Sequence, residues 1–156
     1  MQKISIGRVD IEVNRSKTIV FPPSVRGDVF KPEDELLRHT QYTLDHLGLW
    51  YAEGQQGKYL SGWEVFASVS QKPTESFLSW NDGFQFQSSP ALFIEKFGRE
   101  KQYALWGSAV FNGDGGFVPL VYAAEKTDRV FLLWEDLKSV FFGKDRPALR
   151  FTTPGS

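Results

Sequence analysis

Two histidines, His39 and His46, are the only imidazoles in this 156-residue chain, and it has no cysteine. On a helix, seven residues of separation set them two turns and roughly 10 Å apart. One metal with ligand bonds of about 2 Å does not bridge that gap. Chelation would need Glu35 beside His39 and further ligands from elsewhere, so the sequence specifies no metal site. An acid–base role for either histidine lacks a partner fixed by spacing. Asn112-Gly113-Asp114-Gly115 opens like a calcium loop. Phe117, Val118, Pro119 and Leu120 then stand where later oxygen ligands would fall, so the stretch reads as a turn. Ser61 and Ser108 lack the G-x-S-x-G setting of an exposed nucleophile. No phosphate-cradling glycine loop follows a strand, and no cofactor is implied.

Acids remain. Glu64, Asp82, Asp114, Glu125, Asp128, Glu135 and Asp136 fall at expected strand ends and turns. A glycosidase works with two carboxylates at a set separation, and nothing here fixes one. A carboxylate-dependent hydrolase is the weakest of three readings. Aromatic residues say more. Trp50-Tyr51, Trp80-Asn81-Asp82 and Trp134-Glu135-Asp136 each put a flat ring near a hydrogen-bonding group. That combination suits a protein interface or a stacked sugar. The candidate binding residues are therefore Trp50, Tyr51, Trp80, Asp82, Asp114 and Trp134, with no catalytic residue assigned.

The elements that must position them centre on Tyr103–Glu135, which reads as three consecutive strands. In Tyr103–Phe111 both alternating sets are apolar, as in a strand covered on both faces. Asn112–Gly116 supplies residues that accept positive φ for a hairpin. Pro119 has no N–H for a ladder and argues for an edge, a bulge or a solvent-facing position in Phe117–Ala123. Val130–Trp134 is the third strand. The Gly-rich segment Gly107–Tyr122 resembles the aromatic strand pairs of some small bacterial toxin-immunity domains. The resemblance carries no site residues with it.

A long helix is expected over 32–47. Pro32 suits its first position, Glu33, Asp34 and Glu35 its first turn, and Gly48 the residue past its end. Leu37, Thr40, Leu44 and Leu47 share its apolar face, with Arg38 and His39 on the polar side. Gly62–Ser70 alternates like a half-buried strand, and Asn81-Asp82-Gly83 signals a hairpin. Ser89-Pro90 opens a short helix, Ala91–Phe97, ended by Gly98. Ile4 and Ile6 alternate before a parity change at Gly7-Arg8, and Thr18–Phe21 reads as a strand stopped by Pro22-Pro23. Glu53–Lys58 reads as a hairpin connection, Asp136–Phe142 as a helical turn and Ala148–Phe151 as a terminal strand. These elements make one α+β domain over 1–156: a mainly antiparallel sheet carrying one long helix and one or two short ones.

Composition bounds the function. A formal charge of −1 with both signs mixed disfavours nucleic acid or an anionic membrane as the main partner. No apolar run approaches the ~18 residues of a membrane span. The opening MQKISIGRVDIEVN lacks a signal-peptide apolar region, and zero cysteines fit a cytoplasmic protein. With 14 Phe, 5 Trp and 5 Tyr, the chain has more rings than surface anchors require, so most must fill a β-rich core. The leading expectation is a non-enzymatic module that binds another protein, of an immunity or adaptor type. The alternative is a small-ligand or carbohydrate-binding domain with an aromatic-lined pocket.

Overall fold

A computed structural model describes residues 9–21, 38–112 and 115–152. The pattern around Ile4–Arg8, residues 32–37 of the expected long helix, and Asp114 lie outside the described residues. The strands are β1 (Ile11–Glu12), β2 (Gln41–Tyr42), β3 (Leu47–Trp50), β4 (Leu60–Ser61), β5 (Tyr103–Ala104), β6 (Val110–Asn112), β7 (Gly115–Ala123), β8 (Val130–Asp136), β9 (Phe141–Phe142) and β10 (Ala148–Phe151). The α-helices are α1 (Gly62–Val69), α2 (Trp80–Ser88) and α3 (Pro90–Phe97). The fold is α+β with a mainly antiparallel sheet.

That sheet runs β3-β10-β5-β7. One edge of β7 carries β5 and β6 in succession, and the other carries β8. Only the β10–β5 pair is parallel. The short pairs β1–β2 and β4–β9 stand apart from it. Because β7 and β10 are interior, they need apolar side chains on both faces. On one face Val121, Leu132, Tyr103 and Leu149 meet Phe86 of α2 and Phe93 of α3. On the other, Val118, Leu120, Ala104 and Trp106 meet Val65 and Val69 of α1 and Phe142 of β9. Burying one such side chain contributes about 1.5–3 kcal/mol.

The expected strand Tyr103–Phe111 is broken by a 3₁₀ turn, Trp106–Ser108. Gly107 causes the break by close approach. Its N–H donates to Leu78 O (2.9 Å), and its carbonyl accepts from Arg38 Nη2 (2.7 Å). A Cβ there would lie 2.7 Å from the Phe77 and Leu78 carbonyl oxygens. The same break resolves Pro119. A residue's N–H and C=O point to one side of a strand. Pro119 O accepts from Leu105 N (2.9 Å), so the missing N–H faces the interrupted side and the β8 ladder loses nothing. Pro119 is therefore buried in an interior strand rather than at an edge or in solvent.

Other expectations are corrected. Across its described part, the helix over 32–47 does not form. Gln41–Tyr42 pairs with β1, Leu44–His46 is a 3₁₀ turn, and Leu47–Trp50 pairs with β10. Arg38 and His39, assigned to a solvent face, are both buried. Tertiary pairing overrides the helical spacing of the leucines.

Gly62–Ser70 is helix α1, not a strand. Ser61 and Glu64 form a capping box, Glu64 N–H to Ser61 Oγ (3.1 Å) and Ser61 N–H to Glu64 Oε1 (3.0 Å). Asn81-Asp82-Gly83 makes no hairpin but lies in the first turn of α2. Thr18–Phe21 forms no strand. Glu53–Lys58 joins β3 to β4, which pair with β10 and β9 and not with each other. Asp136–Phe142 holds the end of β8, a turn and β9. Helix α3 starts at Pro90 and ends at Gly98 with φ of 74°, as its signals indicate.

Candidate interaction surface

Val9, Ile11, Val13 and Arg15 share one parity, and the last three point inward. The third inward position thus drives a guanidinium into the core. It meets Asp82, which is 0% exposed, through Nη1 to Oδ2 at 2.8 Å and Nη2 to Oδ1 at 2.9 Å. Arg15 Nε also donates to His39 O (3.1 Å). Asp82 stands at the third position of α2, where it accepts the Ser79 N–H at 2.8 Å and favours the positive helix end. Tyr42 of β2 donates its hydroxyl to Asp82 Oδ1 (2.6 Å). Burial opposes the charge on Asp82, but Arg15 and the bonds from Ser79 and Tyr42 outweigh it. They hold the carboxyl below its ordinary range. The bidentate pair joins the N-terminal segment to α2 with little freedom left.

Above this pair lies an aromatic face. Trp80, at the start of α2, stacks on Trp134 of β8 with centroids 5.3 Å apart and planes 10° from parallel. The Trp80 N–H is fixed by Ser108 Oγ (2.8 Å). Trp134 Nε1 donates to Val20 O (2.7 Å), and Phe21 packs on the same indole with centroids 5.7 Å apart. One turn along α2, Phe84 lies under Lys17, whose Nζ is 4.1 Å from the ring centroid. Asn81 Nδ2 donates to Lys17 O (3.3 Å). Both tryptophans are half-buried, Phe84 is 37% exposed, and Val20 is 69% exposed. The segment Lys17–Phe21 and helix α2 thus present one apolar surface, held from beneath by Arg15 and Asp82.

The structure sorts the sequence candidates. Trp80 and Trp134 come together, with Asp82 as their buried support rather than a contact group. Trp50 lies at the far side of the sheet on β3, edge-on to the core residue Phe77 (5.3 Å, 76°). Tyr51 Oη donates to Lys144 O (2.9 Å), which ties down a loop. Neither joins the aromatic face. Val20, Phe21, Phe84 and the supporting Arg15, Tyr42 and Ser79 were missed. The inward parity of Arg15 and the Ser79-x-x-Asp82 spacing were the legible signals for the support.

Chemistry at these groups is restricted. Both Asp82 oxygens are engaged, and its lowered pKa unsuits it for proton donation. Glu64 is lowered by its bonds from Ser61 and serves α1 as a cap. His39 is lowered by burial and by the nearby Arg15 charge, which favours neutral imidazole. Among the described residues no group of three His, Cys, Asp or Glu can hold a metal ion. A cleft of about 300 Å³ is lined by Asp10, Leu44, Asp45, Leu92, Glu95 and Lys96. Another of about 340 Å³ has Phe131 as its one aromatic. Neither is the aromatic-lined pocket a sugar site would require. No described helix is long and apolar enough to cross a membrane. No family model, curated protein or solved structure matches the chain.

Proposed function

We propose that this chain is a protein-binding module whose contact surface is the face built by Val20, Phe21, Trp80, Phe84 and Trp134. One observation carries the reading: half-buried Trp80 and Trp134 stack on each other with Phe21 packed on Trp134, and the exposed Val20 and Phe84 lie on the same segments, Lys17–Phe21 and α2. Interfaces concentrate their energy in such aromatic anchors. A contiguous apolar patch on a folded surface signals association. Pre-organisation by the buried ion pair lowers the entropy cost of binding. The near-neutral charge favours a protein over nucleic acid as partner. The absence of cysteine is compatible with work in the cytoplasm.

The test is capture by the tagged full chain from its native cells, beside Val20→Ser and Phe84→Ser variants with unchanged melting temperatures. A stoichiometric protein retained by the wild type and lost by both variants supports the reading. Equal recovery by all three removes this face from consideration.

A further inference from the structure

The edge of β8 is open along part of its length, and the parity of its ladder identifies where. Ala124 N–H bonds Arg129 O (3.1 Å), and Leu137 N–H bonds Gly116 O (2.9 Å). With the β7–β8 register, residues 131, 133 and 135 turn their backbone groups to β7. Leu132 and Trp134 turn theirs outward without a backbone partner among the described residues, and Asp136 turns out its N–H while its carbonyl accepts the Ser139 N–H (3.0 Å). Val130 also faces out, but its carbonyl accepts from Gln87 Nε2 (3.0 Å), which closes that end. The open stretch therefore runs from Leu132 to the Asp136 N–H. Edges are ordinarily protected by charged residues, proline or a bulge, and the run Val130–Trp134 of the strand VFLLWED has none of these. Phe131 (36% exposed) and Leu133 (42%) add apolar surface on the face away from α2.

We infer that β8 receives an extended segment of another protein as an antiparallel added strand, apolar at alternate positions and basic at its N-terminal end. Antiparallel addition sets the incoming N-terminus beside Glu135 and Asp136, the two charges of the strand, so lysine or arginine there meets unlike charge. A second copy fits poorly. A two-fold pairing confined to the open stretch centres on Trp134, setting Glu135 against Leu133 and Asp136 against Leu132, with no cation for either acid. Registers that bring Arg129 to Glu135 require Val130 to pair and displace Gln87. This edge adjoins the aromatic face, so the inference deepens the protein-binding reading and names the form its partner takes.

The test is amide hydrogen exchange by NMR on the full chain with a synthetic octapeptide, two lysines followed by alternating valine and threonine. The expected result is at least tenfold slower exchange at Leu132, Trp134 and Asp136, with little change at Phe131, Leu133 and Glu135. Leu133→Lys should abolish that protection while leaving the melting temperature unchanged. Absence of added protection overturns the inference. Protection that rises with protein concentration alone also overturns it, by making a second copy the occupant. If the peptide fails while Phe84→Ser still loses a captured partner, the edge is wrong and the aromatic face stands. If the peptide protects while Phe84→Ser keeps every captured partner, edge pairing stands and the aromatic face falls.

Discussion

Arg15→Met is the most informative perturbation of the support beneath the face. It removes two hydrogen bonds to Asp82, at 2.8 and 2.9 Å, and leaves a carboxylate that is 0% exposed. Ser79 N–H and Tyr42 Oη remain, but neither carries a compensating charge. Breaking one side of a buried pair costs about 3–5 kcal/mol. That is a large share of the roughly 5–15 kcal/mol that holds a domain together.

The sign with pH follows from the depressed carboxyl. In the wild type Asp82 contributes stability above its ordinary pKa of 3.8, and this is lost as pH falls through the lower folded value. Without Arg15, burial dominates and Asp82 takes up a proton at higher pH, so the deficit of the variant should shrink in acid. Urea unfolding at about pH 7 and about pH 4 reads both effects. Replacing both partners, Arg15→Met with Asp82→Leu, should cost less than the sum of the single changes. A neutral-pH loss below about 1 kcal/mol, or additive single changes, would refute the reasoning.

Other expectations concern the scaffold. Gly107→Ala sets a methyl 2.7 Å from two backbone oxygens and beside Arg38. It should lower stability by about 2 kcal/mol or more in thermal or urea unfolding. Ser61→Ala removes the hydroxyl that caps α1 and should cost about 1 kcal/mol, read as a shift in the urea midpoint. His39 is depressed from 6.5 by burial and Arg15. The unfolded chain therefore binds its proton first, and stability should decline as pH drops below about 6.5. His39→Asn should flatten that decline, and an unchanged slope would assign it to other groups.

The legible parts of the fold were those where local signals and tertiary pairing agree. Strands β7, β8 and β10 and helix α3 follow from alternation, or from Pro90 and Gly98 as helix punctuation. Where two patterns competed, the long-range partner decided. Leu44 and Leu47 have helical spacing, yet Tyr42 pairs with Ile11 and Leu47 with Phe151. Trp63, Val65, Ala67 and Val69 alternate, but Gly62, Val65 and Val69 also share a helix face, and the Ser61–Glu64 box selects the helix. Asn81-Asp82-Gly83 has turn chemistry, overridden by Asp82 acting as a helix cap and an ion-pair partner.

At the candidate site, Trp80 and Trp134 were visible as rings beside acids. Their stacking was not, because no local signal joins residues 54 positions apart. Val20 and Phe21 reach that stack only because Arg15, a few residues earlier, is anchored on Asp82.

The most direct measurement is the dissociation constant of the captured partner for wild-type protein and for Trp134→Ala, with Trp50→Ala as a folded control. The account predicts a loss of about 2 kcal/mol or more for Trp134→Ala, roughly 30-fold in affinity, and near-wild-type binding for Trp50→Ala. Equal affinities for Trp134→Ala and the wild type would contradict it.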